Sequence, residues 1–390
     1  MVKSICFISP KFFNCIGGME THAYEFAHEF AGHKEFPISK IFVKDLVNDG
    51  ILAPENSAST SKPGSINLSL ELLISKSLTG DFNRDATIIR SDHDPNNTIF
   101  YLNNTTWLPA IAYIKETHPK TQVIVRSGGN DIIAGWIGDE TNTNRDLESS
   151  RADIVELVNK YVDYLIVNSQ YSYDRTISVG VNPHRLVKVL GGVDCNAFYP
   201  STIPSKEEVK VLTAARLVAF KGWEYSLQVV KQATQLGANF QYIILGDGPE
   251  KERIQNIVTN LRLDNVILIG ARRIEDMPFY FRTSDIFLHM PIHLDKHERG
   301  SSYIHTETMG RCLCEASASG LPIIASRVGG VPEIVKDGET GFLVSERDYT
   351  TASNRLIELI HNPQKRISMG AKGRELAETL FDWSIVFQKY

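Results

Sequence analysis

Two α/β domains, each built on a mostly parallel sheet covered by helices on both faces, are predicted by three features of this sequence. Its 390 residues exceed one ordinary domain and suit two of about 200 each. Short apolar runs alternate with helical periodicity along most of the chain, the pattern of parallel strands joined by crossover helices. That alternation breaks at the polar, proline-containing stretch Ser201-Thr-Ile-Pro-Ser-Lys-Glu-Glu208, which reads as a linker. The expected domains are 1–200 and 205–380.

The first strand covers residues 4–9 and is expected to stop at Pro10; Gly17-Gly18 then precedes a helical pattern that begins at Thr21. Strand, glycine loop and helix is a phosphate-site arrangement, and a tight turn is the alternative. The spacing matches neither G-x-G-x-x-G nor a P-loop, which argues against nicotinamide cofactors and ATP. Residues 54–64 are rich in Ser, Asn, Pro and Gly and read as an exposed loop. Strands are predicted at 38–43, 87–90, 99–102, 122–126, 164–167 and 186–190, and helices at 108–116 and 147–161. Asp92-His93-Asp94 has the form of a metal-holding D-x-D but ends in Pro95-Asn-Asn, so a solvated turn is the expectation. Arg126-Ser-Gly-Gly-Asn-Asp131 follows an apolar strand, where α/β sheets bind ligands, and is a candidate site loop or a structural turn.

Beyond the linker a second series opens at Val209. Arg216 and Lys221 flank its first turn, placing two cations where a strand ends. Short apolar strands follow in Gln241-Tyr-Ile-Ile-Leu245, Val266-Ile-Leu-Ile-Gly270, Asp285-Ile-Phe-Leu-His289, Leu321-Pro-Ile-Ile-Ala325 and Gly341-Phe-Leu-Val344. Residues 351–380 are expected to be helical.

Glu307-Thr-Met-Gly-Arg-Cys-Leu-Cys-Glu315 is the segment with the most chemistry in it. In a single helix its two carboxylates would stand roughly 12 Å apart along the axis. Paired glycosidase carboxylates stand roughly 5 to 9.5 Å apart, so joint acid/base work is excluded and two anchors on one long ligand fit better. Gly310 would let a backbone approach that ligand, and the N–H groups opening a helix at about Arg311 would face an anion such as a diphosphate. A sugar nucleotide has that length and charge. An amphipathic core helix with two solvated glutamates is the alternative for these residues alone.

Composition narrows the classes further. Hydrophobic residues make up 42% and charged residues 22%, with a net charge of −5 and no Lys/Arg-rich block; nucleic acid is not an expected partner. No apolar run approaches the roughly 18 residues that span a bilayer, and the opening apolar run is too short for a secretory signal. A cytoplasmic location is expected, with room for peripheral contact with a membrane. Cys6, Cys15, Cys195, Cys312 and Cys314 are odd in number and scattered, against a disulfide framework. His289, His293, His297 and His305 invite a metal reading, but Pro291 breaks the helix that i, i+4 ligands would need. No metal or cofactor is expected.

In order and spacing, several segments together resemble the family 4 glycosyltransferases, retaining enzymes of GT-B fold. They are Gly17-Gly18-Met19-Glu20; Val167-Asn-Ser169 with Gly192-Val-Asp194 and Phe198; Arg216-Leu-Val-Ala-Phe-Lys221-Gly222; Leu245-Gly-Asp-Gly-Pro-Glu250; Glu307-x7-Glu315; and Gly329-Gly-Val-Pro-Glu-Ile-Val335 with Gly338-Glu-Thr-Gly-Phe-Leu-Val344. The resemblance covers essentially the full length and is strongest over residues 161–344. It implies two Rossmann-like domains facing each other across a central cleft, with residues 381–390 crossing back to the N-terminal domain. It also implies metal-independent transfer of a sugar, with retention, from a nucleotide-sugar donor to a glycan, lipid-linked or small-molecule acceptor. A UDP-sugar is favoured and a GDP-sugar is the second choice.

Carried over residue by residue, the resemblance places Arg216 and Lys221 on the donor diphosphate, Glu307 near the transferred sugar and Glu315 on the ribose. Thr308 and the amides of Met309, Gly310, Arg311 and Cys312 would contact sugar and phosphate. Gly17 and Gly18 would close on the phosphate, and Arg272 or Arg273 would lie by the base. Two departures stand out. Family members often carry a histidine where this chain has Arg126-Ser-Gly-Gly-Asn-Asp131, so acceptor contacts are expected of Asn130 or Asp131. The run 292–304 is longer and more polar than usual and is expected near the sugar. The missing histidine keeps two other readings open, a silent sugar-nucleotide-binding scaffold and an epimerase of the same shape. A scaffold, however, would need no buried cation pair.

Overall fold

The structure, a computed structural model, describes residues 4–12, 18–31, 33–46, 74–75, 94–134, 146–201, 208–298 and 301–390. The chain divides into two compact units: Met1–Asn168, Ser172–Val189 and His297–Tyr303 form the first, and Ser169–Tyr171, Leu190–Lys296 and Ile304–Tyr390 the second. The strand expected at 87–90, the loop 54–64 and Gly17 lie outside the described residues.

The first unit runs β1 (Ser4–Phe12), α1 (Gly18–Phe30), β2 (Ile38–Leu46), β3 (Ile74–Ser75), β4 (Thr98–Leu102), α2 (Leu108–Thr117), β5 (Gln122–Arg126), α3 (Leu147–Tyr161), β6 (Tyr164–Val167), α4 (Gln170–Ser178) and β7 (Leu186–Lys188). Among the described residues its strands pair in the order β3-β2-β1-β4-β5-β6-β7, every pair parallel. Both faces are covered, which is why the strands read as continuous apolar runs. Cys6 and Ile8 point into a core with Phe100, Leu102, Val123 and Val125. Phe7 and Tyr101 point the other way and stack on Phe26 of α1, at ring separations of 5.3 and 4.1 Å. Asp146 opens α3 by accepting the Ser149 N–H at 2.8 Å. Asp94 caps a short turn over Pro95–Asn97, while Asp92 and His93 lie outside the described residues.

β1 continues past Pro10 to Phe12, where the sequence predicts a stop. Its pairing with β4 ends at Ile8 while pairing with β2 runs on to Phe12, so the proline falls where one side of the strand is already unpaired.

The second unit runs β8 (Val209–Ala214), α5 (Trp223–Gln235), β9 (Phe240–Leu245), α6 (Lys251–Leu261), β10 (Val266–Gly270), α7 (Met277–Arg282), β11 (Ile286–His289), α8 (Arg311–Ala318), β14 (Ile323–Ser326), α9 (Val331–Ile334), β15 (Gly341–Val344), α10 (Tyr349–His361), α11 (Pro363–Leu376) and α12 (Trp383–Val386), while β12 (Leu294–Glu298) and β13 (Ser301–His305) pair as a separate two-stranded sheet divided between the two units. The parallel sheet of the second unit has the order β10-β9-β8-β11-β14-β15. Counting only the strands of each parallel sheet, the first follows 3-2-1-4-5-6-7 and the second 3-2-1-4-5-6, the doubly wound order, whose topological switch point lies between the first and fourth strands.

Residues 351–380 are helical as expected, in two main helices, because Pro363 cannot continue the first and instead opens the second. The units divide before Leu190, earlier than the linker at 201–208. The reason is that Val193 donates to the Phe381 carbonyl at 2.8 Å and Phe198 packs edge-on against Phe281. Those contacts also place the 381–390 segment in the second unit. Among the described residues no helix is long and apolar enough to cross a membrane.

Candidate functional site

In the second unit the site residues gather at the carboxyl ends of the strands flanking the switch point. The loops leaving β8, β9 and β10 are stitched backbone to backbone: Ala215 N–H to Leu245 O at 3.0 Å, Leu217 N–H to Asp247 O at 2.9 Å, Glu250 N–H to Leu217 O at 2.9 Å and Gly246 N–H to Gly270 O at 3.1 Å. Asp247 fixes its own turn by accepting from Gly248 N–H and the Lys251 ammonium at 2.8 and 2.9 Å. The Leu245-Gly-Asp-Gly-Pro-Glu250 motif therefore sets the loop that carries Arg216 and Lys221.

Lys221 closes a short helical turn after β8 and donates to the Glu307 carboxylate. His289, the last residue of β11, reaches the same Glu307 oxygen through Nε2 at 3.0 Å. All three lie inside the unit, with side-chain exposures of 11%, 10% and 0% for Lys221, Glu307 and His289. Burial alone would raise the Glu307 pKa, but the Lys221 charge and the His289 hydrogen bond reverse this and hold it well below the ordinary carboxylate range. Burial lowers the His289 pKa. A neutral imidazole then donates from Nε2 to the carboxylate and leaves Nδ1 as an acceptor, and Nδ1 is buried without a partner.

Glu307 and Glu315 do not share a helix. Gly310, at φ +86°, ends the approach, and α8 starts at Arg311, as expected from its glycine. A Cβ on Gly310 would meet the Leu313 side chain at 2.8 Å and the Glu307 Cγ at 3.4 Å, so the turn that swings Glu307 away from the helix needs this residue. The Leu313 N–H turns back to the Gly310 carbonyl at 2.9 Å, and the N-terminus of α8 opens at Arg311 with the positive end of the helix dipole. Glu315 is buried on that helix and pairs with Arg311 at 3.3 Å. Thr308 and Met309 are buried, and the Met309 sulfur accepts the Gly191 N–H at 3.0 Å. Burial pushes the Cys312 thiol up to about 12, so it stays protonated.

Arg216 is exposed, so the buried cation pair that weighed against a scaffold is one half-buried lysine and one solvent-facing guanidinium. Both cations are nevertheless close to His305: its pKa falls to about 4, by burial first and then by the charges of Lys296, Arg216 and Lys221. His305 stacks on Phe220 at 4.4 Å. Arg272 is tied by Nε to the Tyr280 hydroxyl at 3.0 Å and by a terminal nitrogen to the Ala271 carbonyl at 2.8 Å. Arg273 instead pairs with Asp276 in solvent at 3.2 Å. Of the two arginines expected near a base, Arg272 is the one held in place. The other histidines of the run serve different ends, since His293 binds Glu346 at 2.8 Å and His297 lies on β12. The run 292–304 carries the paired strands β12 and β13, with residues 299–300 outside the described residues.

In the first unit, Gly18 is the first residue of α1. Asp131 is buried and accepts from the Ser127 hydroxyl, whose oxygen in turn accepts the Gly129 N–H at 3.1 Å. Burial raises the Asp131 pKa against these hydrogen bonds. Asp131 thus organises its own turn rather than presenting a carboxylate to an acceptor; Asn130 is the more exposed of the pair.

Sequence reasoning weighs His289 only as a metal ligand, and names Arg126 only as the start of a candidate site loop. His289→Leu should cost about 1–3 kcal/mol, the usual loss when a hydrogen bond to a charged group is removed. It should also raise the Glu307 pKa, moving the acid limb of activity to higher pH. A pH–rate profile unchanged from wild type would rule out the coupling.

Two doubly wound units, with cations, a helix N-terminus and a buried carboxylate at the switch point of the second, are the GT-B architecture. Residues 198–376 match the family described as glycosyl transferases group 1, and over that stretch the chain is similar to this group. It is 29% identical over 275 residues, 68% of this chain and 70% of the relative, to the GDP-mannose-dependent monoacylated alpha-(1-6)-phosphatidylinositol monomannoside mannosyltransferase of Corynebacterium glutamicum. It is 25% identical over 244 residues, 59% of this chain and 44% of the relative, to the sulfoquinovosyl transferase SQD2 of Arabidopsis thaliana. Among solved structures, HepE of Anabaena in complex with UDP and glucose aligns over 99% of this chain and 98% of its own, with a TM-score of 0.71 at 18% identity.

Proposed function

We propose that this protein transfers a hexose, with retained anomeric configuration and without a metal, from a nucleoside-diphosphate sugar to a hydroxyl of a glycan, lipid-linked or small-molecule acceptor. The observation that carries this reading is the Lys221–Glu307–His289 cluster beside the N-terminus of α8. Breaking the bond from the anomeric carbon to phosphate builds negative charge on the leaving diphosphate. Lys221, Arg216 and the α8 amides are the groups that stabilise it. Glu307 holds the ammonium in place until the diphosphate arrives, and as a carboxylate it then suits the hydroxyls of the transferred sugar. Glu315 takes the ribose and Arg272 the base edge.

GDP-mannose is placed ahead of a UDP-sugar, the reverse of the order expected from sequence alone. The relative named for GDP-mannose aligns over about two thirds of the chain at 29% identity, whereas the UDP-containing structure shares 18%. The test is a donor panel of GDP-mannose, UDP-glucose and ADP-glucose without acceptor. Slow hydrolysis of GDP-mannose is the expected result. An isomerised donor would make the protein an epimerase, and binding with no chemistry would make it a scaffold.

A further inference from the structure

Arg126 ends β5 at the carboxyl edge of the first unit's sheet, one strand from the β1/β4 switch point where doubly wound folds bind ligands. Among the described residues it is the only lysine or arginine that is buried, with 5% of its surface exposed, and its Nε has no hydrogen-bond partner. The ion pairs described in this unit join Lys115 and Arg185 to Asp163 and Lys160 to Glu116; none includes Arg126. Asp131, five residues on, is turned to Ser127, and its second oxygen is also buried without a partner. A guanidinium and a carboxyl group are thus enclosed near each other in sequence and do not pair. The Arg126 charge is felt nearby, because burial and then this guanidinium lower the pKa of His22, which bonds the Tyr101 hydroxyl at 3.1 Å. Ser9 and Asn103, both 1% exposed, add polar groups at the ends of β1 and β4.

A guanidinium taken out of water without a counter-charge destabilises a fold, and a retained one marks where an anion arrives. Its fork suits a two-oxygen anion, and its single charge suits a monoanion. We propose that Arg126 is the docking cation for a phosphodiester carried by the acceptor; only the word acceptor rests on the transferase reading. The diester can belong to a lipid headgroup or to a soluble polyol or glycan phosphate.

The test uses the full chain with GDP and UDP held at saturation, so that the donor site is filled. Thermal shift is followed with glycerophosphoglycerol and with glycerol, and co-sedimentation with phosphatidylglycerol and phosphatidylcholine vesicles, for wild type, Arg126→Gln and Arg126→Lys. Wild type should be stabilised by glycerophosphoglycerol and not by glycerol, or should prefer phosphatidylglycerol vesicles. The first result assigns a soluble diester and the second a lipid headgroup. Arg126→Gln should bind at least ten-fold more weakly, Arg126→Lys should retain part of the affinity, and unliganded Arg126→Gln should melt no lower than wild type. GDP and UDP titrations should be unchanged in both variants, which separates a failure here from a failure of the donor reading. No response to either diester, equal binding by Arg126→Gln, or a lower melting temperature for the unliganded variant would overturn the proposal, the last by making Arg126 a structural tie.

Discussion

Lys221→Ala should lower turnover by about 10²-fold or more at saturating donor, the usual effect of deleting a fixed group that stabilises charge developing in the transition state. The stability of the same variant reports on the same atoms. Removing one member of a buried ion pair costs about 3–5 kcal/mol, because the survivor stays buried and charged. In wild type the Glu307 pKa is depressed, so its contribution to stability is complete above the unfolded value and lost as pH falls towards the folded one. Without Lys221, burial prevails and the folded pKa rises above the unfolded value. The stability of the variant should therefore increase as pH is lowered from 7 to 5, opposite in sign to the wild-type contribution. Urea midpoints at the two pH values measure this. In Lys221→Ala/Glu307→Gln stability should return while turnover stays low, since the leaving diphosphate has still lost its cation. Turnover restored in the double variant would mean that Lys221 serves only to neutralise Glu307.

Much of the scaffold was legible in the sequence because strands buried on both faces must be apolar throughout. Gln122–Arg126, Tyr164–Val167, Val266–Gly270 and Gly341–Val344 stand where their apolar runs place them. The start of α8 was legible for a different reason, since Gly310 leaves a clear break before the helical pattern. The paired strands β12 and β13 were not legible: Leu294–Glu298 reads Leu-Asp-Lys-His-Glu, with no apolar alternation to announce a strand. Nor was the role of His289. Its partner lies eighteen residues further on, and only the adjacency of the β11 end to the segment before α8 brings the imidazole to Glu307. The Glu307–Glu315 spacing is informative about the ligand's length, although the chain turns at Gly310 where a single helix would have run straight on.

Gly329→Ala should remove the donor site altogether. Gly329 sits at φ +52°, and a Cβ there would stand 1.8 Å from the Glu307 carbonyl oxygen; at Gly330 it would stand 2.0 Å from that of Thr308. The Gly330 N–H donates to the same Glu307 carbonyl at 3.1 Å. The two glycines are therefore the floor on which the Glu307 backbone rests. No rotamer change relieves a clash between a Cβ and a main-chain oxygen, so either the loop after β14 or the segment carrying Glu307 must move. Gly338 supplies the control: it has φ +76°, and a methyl group there would meet nothing within 4 Å. Gly338→Ala should then cost only the left-handed backbone penalty of about 1–2 kcal/mol. Gly329→Ala should cost more than about 3 kcal/mol and abolish detectable donor binding, because a displacement of about 1 Å in the Glu307 backbone is enough to cost a site its function. Melting temperatures and donor titrations on both variants distinguish the cases. Equal melting temperatures with donor affinity intact in Gly329→Ala would show that the Glu307 main chain is free to shift and that the Lys221–Glu307–His289 geometry is not what the donor requires.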